Sequence, residues 1–277
     1  MHLGVIVFPT DRSLGPAEFA RAAEDRGFES VWFPEHSHMP LASGGWPGGP
    51  HIPEIYARTV DLFVSLSAAA GATSRIRLGT GICLVAQHHP IWLAKQIASV
   101  DFLSSGRLIL GVGFGWNRAE MAHHGVDFAC RREITAEHIA AMRALWTEEV
   151  ASFEGRFVQF GPSRAWPKPV QAGGPPVILG AGAGPKLRHA VAAYGQGWAP
   201  MNGRNPVAAE IQGVRDSVAA SGRDPDELDI TLFAAPTDPA RLDELQQLGI
   251  TRAVFGVPSA GADKVFPALD LLAGLLG

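Results

Sequence analysis

The sequence predicts an α/β protein built as a single-domain (β/α)8 barrel. Short runs rich in β-branched residues alternate with alanine-rich helical segments along the chain, and eight of these runs are typical of strands. Apolar strands that are each followed by a helix form a parallel sheet covered by helices. Because no linker or change of composition separates the two halves, we expect one closed TIM barrel over residues 1–277 rather than an open sheet.

The strands are predicted from short apolar runs bounded by glycine, proline or polar residues. In chain order they are LGVIVF (3–8), SVWF (30–33), IRLGTGI (76–82), RLILGVG (107–113), PVILG (176–180), GWAP (197–200), LDITLF (228–233) and RAVFGV (252–257). The segment FEGRFVQF is typical instead of a small hairpin near 152–160 that lies outside the barrel.

Helices are predicted where apolar residues recur at helical spacing, often after a proline. Leu93, Ile97 and Val100 form one such stripe after Pro90. The predicted helices cover 16–26, 58–72, a segment from Pro90, 135–148, 185–194, 206–220, 239–248 and a last segment with Val265, Leu269 and Leu272. The Gly-, Pro- and His-rich stretch from Ser37 to Glu54 lacks periodicity and is predicted to be a long insertion loop after strand two.

The composition indicates a globular protein without affinity for polyanions. Apolar residues make up 47% of the 277 residues, charged residues 18%, and the net charge is −4, so no basic field attracts nucleic acid or an anionic membrane. We expect no signal peptide, and no apolar run reaches the roughly 18 residues of a membrane span. The only cysteines, Cys83 and Cys130, suggest a reducing compartment, so a cytoplasmic location is expected.

The segment Glu35-His36-Ser37-His38 follows strand two, at the end of the barrel where active sites lie. A histidine there can donate or accept a proton near neutral pH, and a neighbouring carboxylate can orient it. His36 could equally be a loop histidine bonded to a carbonyl group. A metal site is disfavoured, because the last histidine, His189, lies within a predicted helix. The remaining histidine pairs are interpreted as loop or surface residues: His88, His89, His123 and His124.

Two glycine-containing segments follow strands three and four. Gly79 and Gly81 flank Thr80, which indicates either a bulge that supports a flat ring or a tight barrel corner. The segment GVGFGWN (111–117) resembles a dinucleotide-binding fingerprint, but its third glycine comes one residue early. Its useful part is Trp116-Asn117, an aromatic ring and an amide that we expect at the catalytic face.

The segment GAGAGPK (180–186) gives the strongest local signal. A strand runs directly into three alternating glycines, and a proline then occupies the first position of a helix. Free amides from such a loop, together with a helix N-terminus, bind phosphate, although a plain turn is the alternative. The predicted phosphate loop consists of Gly180, Ala181, Gly182, Ala183, Gly184 and Pro185. Three arginines beyond strand four could meet an anionic tail or substrate, or be solvated charge: Arg118, Arg131 and Arg132.

Taken together, these segments resemble the luciferase-like monooxygenase superfamily, and especially its deazaflavin (F420)-dependent branch. The resemblance runs from Leu3 to about Pro200. It is strongest in FESVWFPEH, the block from Ile76 to Asn117, WPKPVQ and PPVILGAGAGPKLRHAVAAYGQGWAP. The resemblance implies a barrel whose mouth holds a flavin or deazaflavin ring, with its phosphate on the strand-five loop, and it suggests a homodimer.

The resemblance also assigns roles to individual residues. His36 matches a ring-facing histidine that donates or accepts a proton, whereas Glu35 stands where many members have aspartate. The remaining matches are Gly79, Thr80 and Gly81 behind the ring, a cis peptide between Gly81 and Ile82, Gly182 and Gly184 in the phosphate loop, and Trp116 with Asn117 in the wall.

The implied function is hydride transfer between F420 and a small organic substrate, with His36 moving the accompanying proton. An FMN-dependent, two-component monooxygenase is the main alternative. A metal-dependent barrel hydrolase and a non-catalytic flavin-binding protein are two further alternatives. His36 argues against the last of these, because a passive binder needs no acid at the ring.

Overall fold

Eight parallel strands close into a barrel, as the sequence predicts. The computed structural model describes residues 1–203 and 207–276. The barrel strands are β1 His2–Ile6, β2 Ser30–Phe33, β3 Arg77–Thr80, β4 Leu108–Gly113, β7 Val177–Gly180, β8 Gly197–Trp198, β9 Asp229–Phe233 and β10 Arg252–Gly256. The predicted hairpin is confirmed as the antiparallel pair β5 Ala151–Glu154 and β6 Gln159–Ser163. Strands β1 and β10 pair in parallel and close the ring.

Helices surround the barrel. Their bounds are α1 Pro16–Asp25, α2 Ile55–Arg58, α3 Leu62–Ala72, α4 Pro90–Leu103, α5 Arg118–His123, α6 Arg131–Thr147, α7 Pro185–Tyr194, α8 Val207–Ala220, α9 Pro239–Gln247 and α10 Ala262–Ala273. The predicted helix over 58–72 is wrong at its start, because the Asp61 carboxylate accepts from the Val64 amide (2.9 Å) and begins a separate helix, α3. Helix α5 was not predicted. The predicted helix over 206–220 begins at Pro206, which lies outside the described residues.

The barrel interior is filled by large apolar side chains around Trp32. This indole is fully buried and contacts Phe233 edge to face, with ring centroids 5.3 Å apart. Gly79 on the neighbouring strand makes the space, because a Cβ there would lie 2.2 Å from the indole. Core packing therefore explains the glycine at position 79. The neighbouring Thr80 is also buried, and its hydroxyl donates to the Gly111 carbonyl (2.6 Å).

A buried ionic network closes the N-terminal end of the barrel. Arg252 begins β10, and its guanidinium binds both oxygens of Glu29 (2.8 and 2.9 Å) and the Asp229 carboxylate (2.6 Å). Burial alone would raise the pKa values of Glu29 and Asp229, but the hydrogen bonds and charge of Arg252 lower both. The network joins the chain just before β2 to the starts of β9 and β10, which locks the bottom of the barrel.

No helix in residues 1–203 and 207–276 is long and apolar enough to cross a membrane. The longest, α6, has 17 residues and alternates charged with apolar positions.

Candidate active site

A cavity of about 530 Å³ lies at the C-terminal ends of the barrel strands. This is the end at which barrel enzymes place their chemistry, and the volume is typical of a small-molecule site. Its walls are mainly apolar, with a few polar and charged groups. The predicted site residues that line it are Glu35, His36, Gly81, Trp116, Gly180, Ala181 and Gly182.

His36 lines the cavity and is held from behind by Glu120. The His36 Nδ1 atom lies 2.9 Å from Glu120 Oε2, and the other carboxylate oxygen accepts from the Ser37 amide (3.2 Å). Both side chains are buried, with exposed fractions of 7% and 1%. An ionised carboxylate can only accept, so it places the proton of a neutral imidazole on Nδ1 and directs Nε2 away from the pair.

Glu120 is the main site residue that the sequence analysis missed. It lies on α5, 84 residues from His36, so no local spacing connects the two. The local signal was misleading: Asn117 caps α5, and an acidic residue three positions later is typical of a capping box. In the structure the Glu120 side chain turns to the histidine instead.

Glu35 does not orient His36, contrary to the prediction for a neighbouring carboxylate. Its oxygens lie 2.6 Å from His88 Nε2 and 2.5 Å from the Leu84 amide, and the Cys83 sulfur lies within 4.8 Å. Burial alone would raise the pKa of Glu35, but its bonds to His88 and the backbone lower it. The pKa of His88 is raised by the carboxylate, against the effect of burial. His88 is therefore a half-buried ion-pair partner rather than a free surface residue.

The strand-three segment contributes to the cavity through its last two residues. Gly81 and Ile82 line the cavity, and the peptide between them is cis, as the resemblance implied. Gly79 and Thr80 lie behind them and do not reach the cavity. The expected contribution of these two residues to a cofactor site is therefore indirect.

An aromatic wall stands over His36. Tyr56 lies between Phe8 and His36, at centroid distances of 4.9 Å from each ring. Trp116 contacts His36 edge to face at 5.8 Å, and Trp46 of the long loop contacts Tyr56 at the same distance. Of these rings only Trp116 was predicted. Tyr56 and Trp46 lie in segments without periodicity, so no sequence pattern distinguishes them.

Asn117 differs from the prediction, because its side chain does not line the cavity. The side chain is 1% exposed and its oxygen caps α5 by accepting from the Ala119 and Glu120 amides (3.1 and 3.3 Å). Its amide nitrogen donates to Ser43 of the long loop (2.8 Å). Asn117 therefore orients α5, and with it Glu120, instead of forming the cavity wall.

The glycine loop, which is the predicted phosphate loop from Gly180 to Pro185, lies partly in the cavity wall and partly in the core. Gly180, Ala181 and Gly182 line the cavity, whereas Ala183 is buried in the main core. Gly184 is the N-cap of α7, and its own amide already donates to the Gly182 carbonyl (2.9 Å). Pro185 is the first residue of α7, as predicted. Within this loop, the part accessible to a ligand is therefore shorter than the predicted phosphate loop.

Two of the three candidate arginines reach the cavity. Arg131 and Arg132 line it, and among the described residues Arg131 Nε and Arg132 Nη1 are buried without a hydrogen-bond partner. The guanidinium of Arg131 stacks on Phe128 (3.7 Å) and that of Arg132 on Phe114 (4.1 Å). Arg118 also stacks on Phe128, but it does not line the cavity. An anion at the cavity edge is the natural partner for such unpaired N–H groups.

A surface histidine cluster, formed by His38, His123 and His124, lies beside the site. His38 Nε2 is 2.8 Å from His123 Nδ1, and the Ser37 hydroxyl bridges His38 and His124 at 2.8 and 2.7 Å. His123 and His124 are exposed, as predicted. The pKa of His124 is lowered, first by burial and then by His38 and His88, against the effect of Glu120. The cluster attaches the long loop to α5.

Both the sequence and the fold of this chain match known proteins. The model of the luciferase-like monooxygenase family matches residues 15–248. An uncharacterized protein of Mycobacterium tuberculosis is 42% identical over 280 residues, covering 100% of this chain and 99% of the relative. The F420-dependent hydroxymycolic acid dehydrogenase of the same organism is 30% identical over 228 residues, covering 80% of this chain and 57% of that protein. A monooxygenase of Streptomyces bottropensis has the same fold, with a TM-score of 0.81, 24% identity, and coverage of 100% and 98%.

The chain therefore belongs to the luciferase-like monooxygenase family, and it is an oxidoreductase. The fold and the family predicted from the sequence are both confirmed. Relatives within this family include F420-dependent dehydrogenases as well as monooxygenases.

Proposed function

We propose that this protein transfers a hydride between coenzyme F420 and a small organic substrate, with His36 moving the accompanying proton. The observation that carries the proposal is the His36–Glu120 pair. A buried carboxylate lies 2.9 Å from Nδ1 of a histidine that lines the cavity, and it fixes the orientation of that ring. A histidine held in this way can exchange a proton with a bound molecule through Nε2.

The cavity suits a large anionic cofactor. Its mainly apolar walls can enclose a flat ring, and its volume of about 530 Å³ lies within the range of cofactor sites. Two sets of N–H donors can hold a phosphate: the unpaired groups of Arg131 and Arg132, and the start of the glycine loop, which also lines the cavity. When bound, F420 supplies hydride chemistry and not oxygen activation.

The protein's own residues then supply orientation and the proton. Glu120 stabilises the protonated imidazolium of His36 and keeps its ring in place. In the direction of substrate reduction, His36 Nε2 donates a proton to the atom beside the carbon that receives hydride. In the direction of oxidation, the neutral ring accepts a proton from the substrate hydroxyl.

The aromatic wall excludes water from this proton transfer. Trp46, Tyr56 and Trp116 stand on the cavity side of His36, and Trp46 belongs to the long loop over the site. Because water is excluded around the imidazole, its electrostatic interaction with Glu120 is stronger. The similarity to an F420-dependent dehydrogenase is in keeping with this chemistry. The expected homodimer and cytoplasmic location stay predictions.

The function is tested by fluorescence titrations of the purified protein with F420 and with FMN. We expect tight binding of F420 and weaker binding of FMN. Tight binding of FMN with no binding of F420 contradicts the proposal and assigns the cavity to an FMN-dependent monooxygenase or reductase. Binding of neither cofactor removes the cavity from redox chemistry altogether.

The position of the cofactor phosphate is tested with a matched pair of variants. Arg132→Met removes a cavity-lining guanidinium, and we expect the Kd for F420 to rise about 10–100-fold, as for loss of one charged hydrogen bond. Arg118→Met removes a guanidinium that stacks on an aromatic ring but does not line the cavity, so the Kd should change less than about threefold. Equal effects in the two variants contradict a specific phosphate position.

A further inference from the structure

We propose that Glu35, Cys83 and His88 form a binding site for a divalent transition ion of the zinc type. A carboxylate oxygen, a thiol sulfur and an imidazole nitrogen from these residues all lie within 4.8 Å of one another. The proposal goes beyond the redox function and does not depend on it, since it uses neither His36 nor Glu120 nor the arginines at the cavity edge.

Neighbouring parallel strands bring the three residues together. Glu35 follows β2, Cys83 follows β3, and His88 comes just before α4. The backbone at Cys83 is fixed on both sides: its amide donates to the Gly111 carbonyl (2.8 Å) and its carbonyl accepts from the Gly113 amide (3.0 Å). The Leu84 amide holds Glu35 at 2.5 Å. The donor atoms therefore lie on an ordered frame and not on free loops.

The donor set suits zinc in both chemistry and size. Thiolate, imidazole and carboxylate are the zinc ligands of proteins, at about 2.0–2.3 Å from the metal. Ligand atoms at those distances in a tetrahedron are about 3.3–3.8 Å apart. The Glu35–His88 contact of 2.6 Å must therefore open by roughly 1 Å, a change that side-chain rotation can supply.

The charge balance also favours an ion at this position. A divalent ion stabilises the Cys83 thiolate and binds the lone pair of His88 Nε2, so the thiol proton and the Nε2 proton shared with Glu35 both pass to solvent. One dication with one carboxylate, one thiolate and a neutral imidazole has no net charge, which suits a buried group.

Three protein ligands leave one position of a tetrahedral ion open. Within residues 1–203 and 207–276, this is the one group of three or more His, Cys, Asp or Glu side chains whose ligand atoms lie close enough to share a metal ion. The group has three members and no fourth. Glu35 lines the cavity, so a water molecule on that side can complete the coordination. An ion here fixes the chain after β2 to the chain after β3, directly behind the catalytic end of the barrel.

The test uses untagged protein that has been treated with a chelator and then titrated with Co²⁺. We expect a near-ultraviolet absorption band from thiolate-to-cobalt charge transfer that saturates at one equivalent and disappears when Zn²⁺ is added. Cys83→Ser should lose the band, whereas Cys130→Ser should keep it, because Cys130 lies outside the cluster and its sulfur contacts Asp127 (3.7 Å). Cobalt binding without a thiolate band, or a band that survives in Cys83→Ser, overturns the proposal.

Two further variants distinguish this site from the surface histidine cluster and define the role of His88. His123→Ala disrupts the surface histidine cluster, which can itself bind cobalt, and it should leave the thiolate band unchanged. His88→Gln should weaken zinc binding by more than the 10–100-fold that loss of an outer-shell partner costs. A smaller effect of His88→Gln, or loss of the band in His123→Ala, overturns the assigned ligand set.

Thermal unfolding gives a readout that is independent of cobalt. The thermal midpoint of each metal-free variant shows whether it is folded. Zn²⁺ should raise the midpoint of the wild-type protein but not that of Cys83→Ser, because only an ion bound to the native state stabilises it. An equal rise in both proteins overturns the assignment.

Discussion

The two ends of the barrel use buried charge in opposite ways. At the N-terminal end, Arg252 is 2% exposed and its guanidinium is fully engaged by Glu29, Asp229 and Thr231. At the C-terminal end, Glu120 is buried but its partner, His36, lines a cavity and has one ring nitrogen without a partner among the described residues. The first arrangement closes on itself and stabilises the fold, whereas the second leaves a reactive atom free to meet a ligand.

The strongest test of this comparison is the removal of His36. We expect His36→Ala to lower the rate of hydride transfer by about 10²–10⁴-fold, the usual contribution of general acid–base catalysis. The Kd for the cofactor should change only a few-fold, because the proposed phosphate contacts, at the glycine loop and the arginines, are unchanged. The measurement is single-turnover kinetics with a substrate found by screening alcohols, ketones and imines.

His38→Ala is the matched control, because His38 lies two residues away in the surface histidine cluster and does not line the cavity. It should slow hydride transfer far less. If His38→Ala loses more activity than His36→Ala, the proton-transfer residue has been assigned to the wrong histidine.

The opposite end is tested with Arg252→Met, which keeps an apolar side chain and removes the charge. We expect the free energy of unfolding to fall by about 3 kcal/mol, because the half-buried carboxylates of Glu29 and Asp229 lose their shared, buried cation. The activity of the folded fraction should not change. Urea unfolding provides the measurement.

Arg26→Met is the control for a surface ion pair. Arg26 binds Asp270 at 2.7 Å, but that carboxylate is 64% exposed, so the loss should stay below about 1 kcal/mol. Equal destabilisation by the two substitutions contradicts a special role for the Arg252 network.

Glu120→Gln tests the C-terminal end in a second way, because it changes the proposed positioning residue and leaves the proposed proton carrier, His36, in place. We expect hydride transfer to slow by about 10–100-fold, the value of one buried hydrogen bond to a charged group. The Kd for the cofactor should change only a few-fold, because Glu120 does not line the cavity. An equal loss of cofactor affinity and of hydride-transfer rate indicates that Glu120 has only a structural role.

The amino-acid sequence predicts the fold because periodicity is a local property of each segment. It could also place His36, since the end of a barrel strand is a position that order along the chain defines. It could not find Glu120, Tyr56 or Trp46, because their contacts depend on how distant segments meet in space. Asn117 and Gly79 show the reverse limit: the sequence predicts that each serves a cofactor site, whereas in the structure Asn117 caps α5 and Gly79 makes room for Trp32.

The smallest expected effect concerns the pH dependence of stability at the N-terminal end. The pKa values of Glu29 and Asp229 are lowered in the folded state by Arg252, despite the opposing effect of burial. In the unfolded chain they return to about 4.3 and 3.9. At pH values between the folded and the unfolded pKa values, the unfolded state binds more protons than the folded state. The stabilisation by Arg252 is therefore complete above about pH 5 and is lost as the pH falls.

Other carboxylates also titrate in this range, so the informative quantity is the difference between wild type and Arg252→Met. Urea unfolding at a series of pH values from about 6 to 3 gives that difference directly. We expect it to be largest near pH 6 and to shrink as Glu29 and Asp229 become protonated, because a neutral carboxyl group gains little from the guanidinium. Arg26→Met should show a small and nearly constant difference, since its partner is exposed to solvent. A difference for Arg252→Met that does not change with pH means that Arg252 stabilises the barrel by packing alone, and the contrast between the two ends then lies in shape and not in charge.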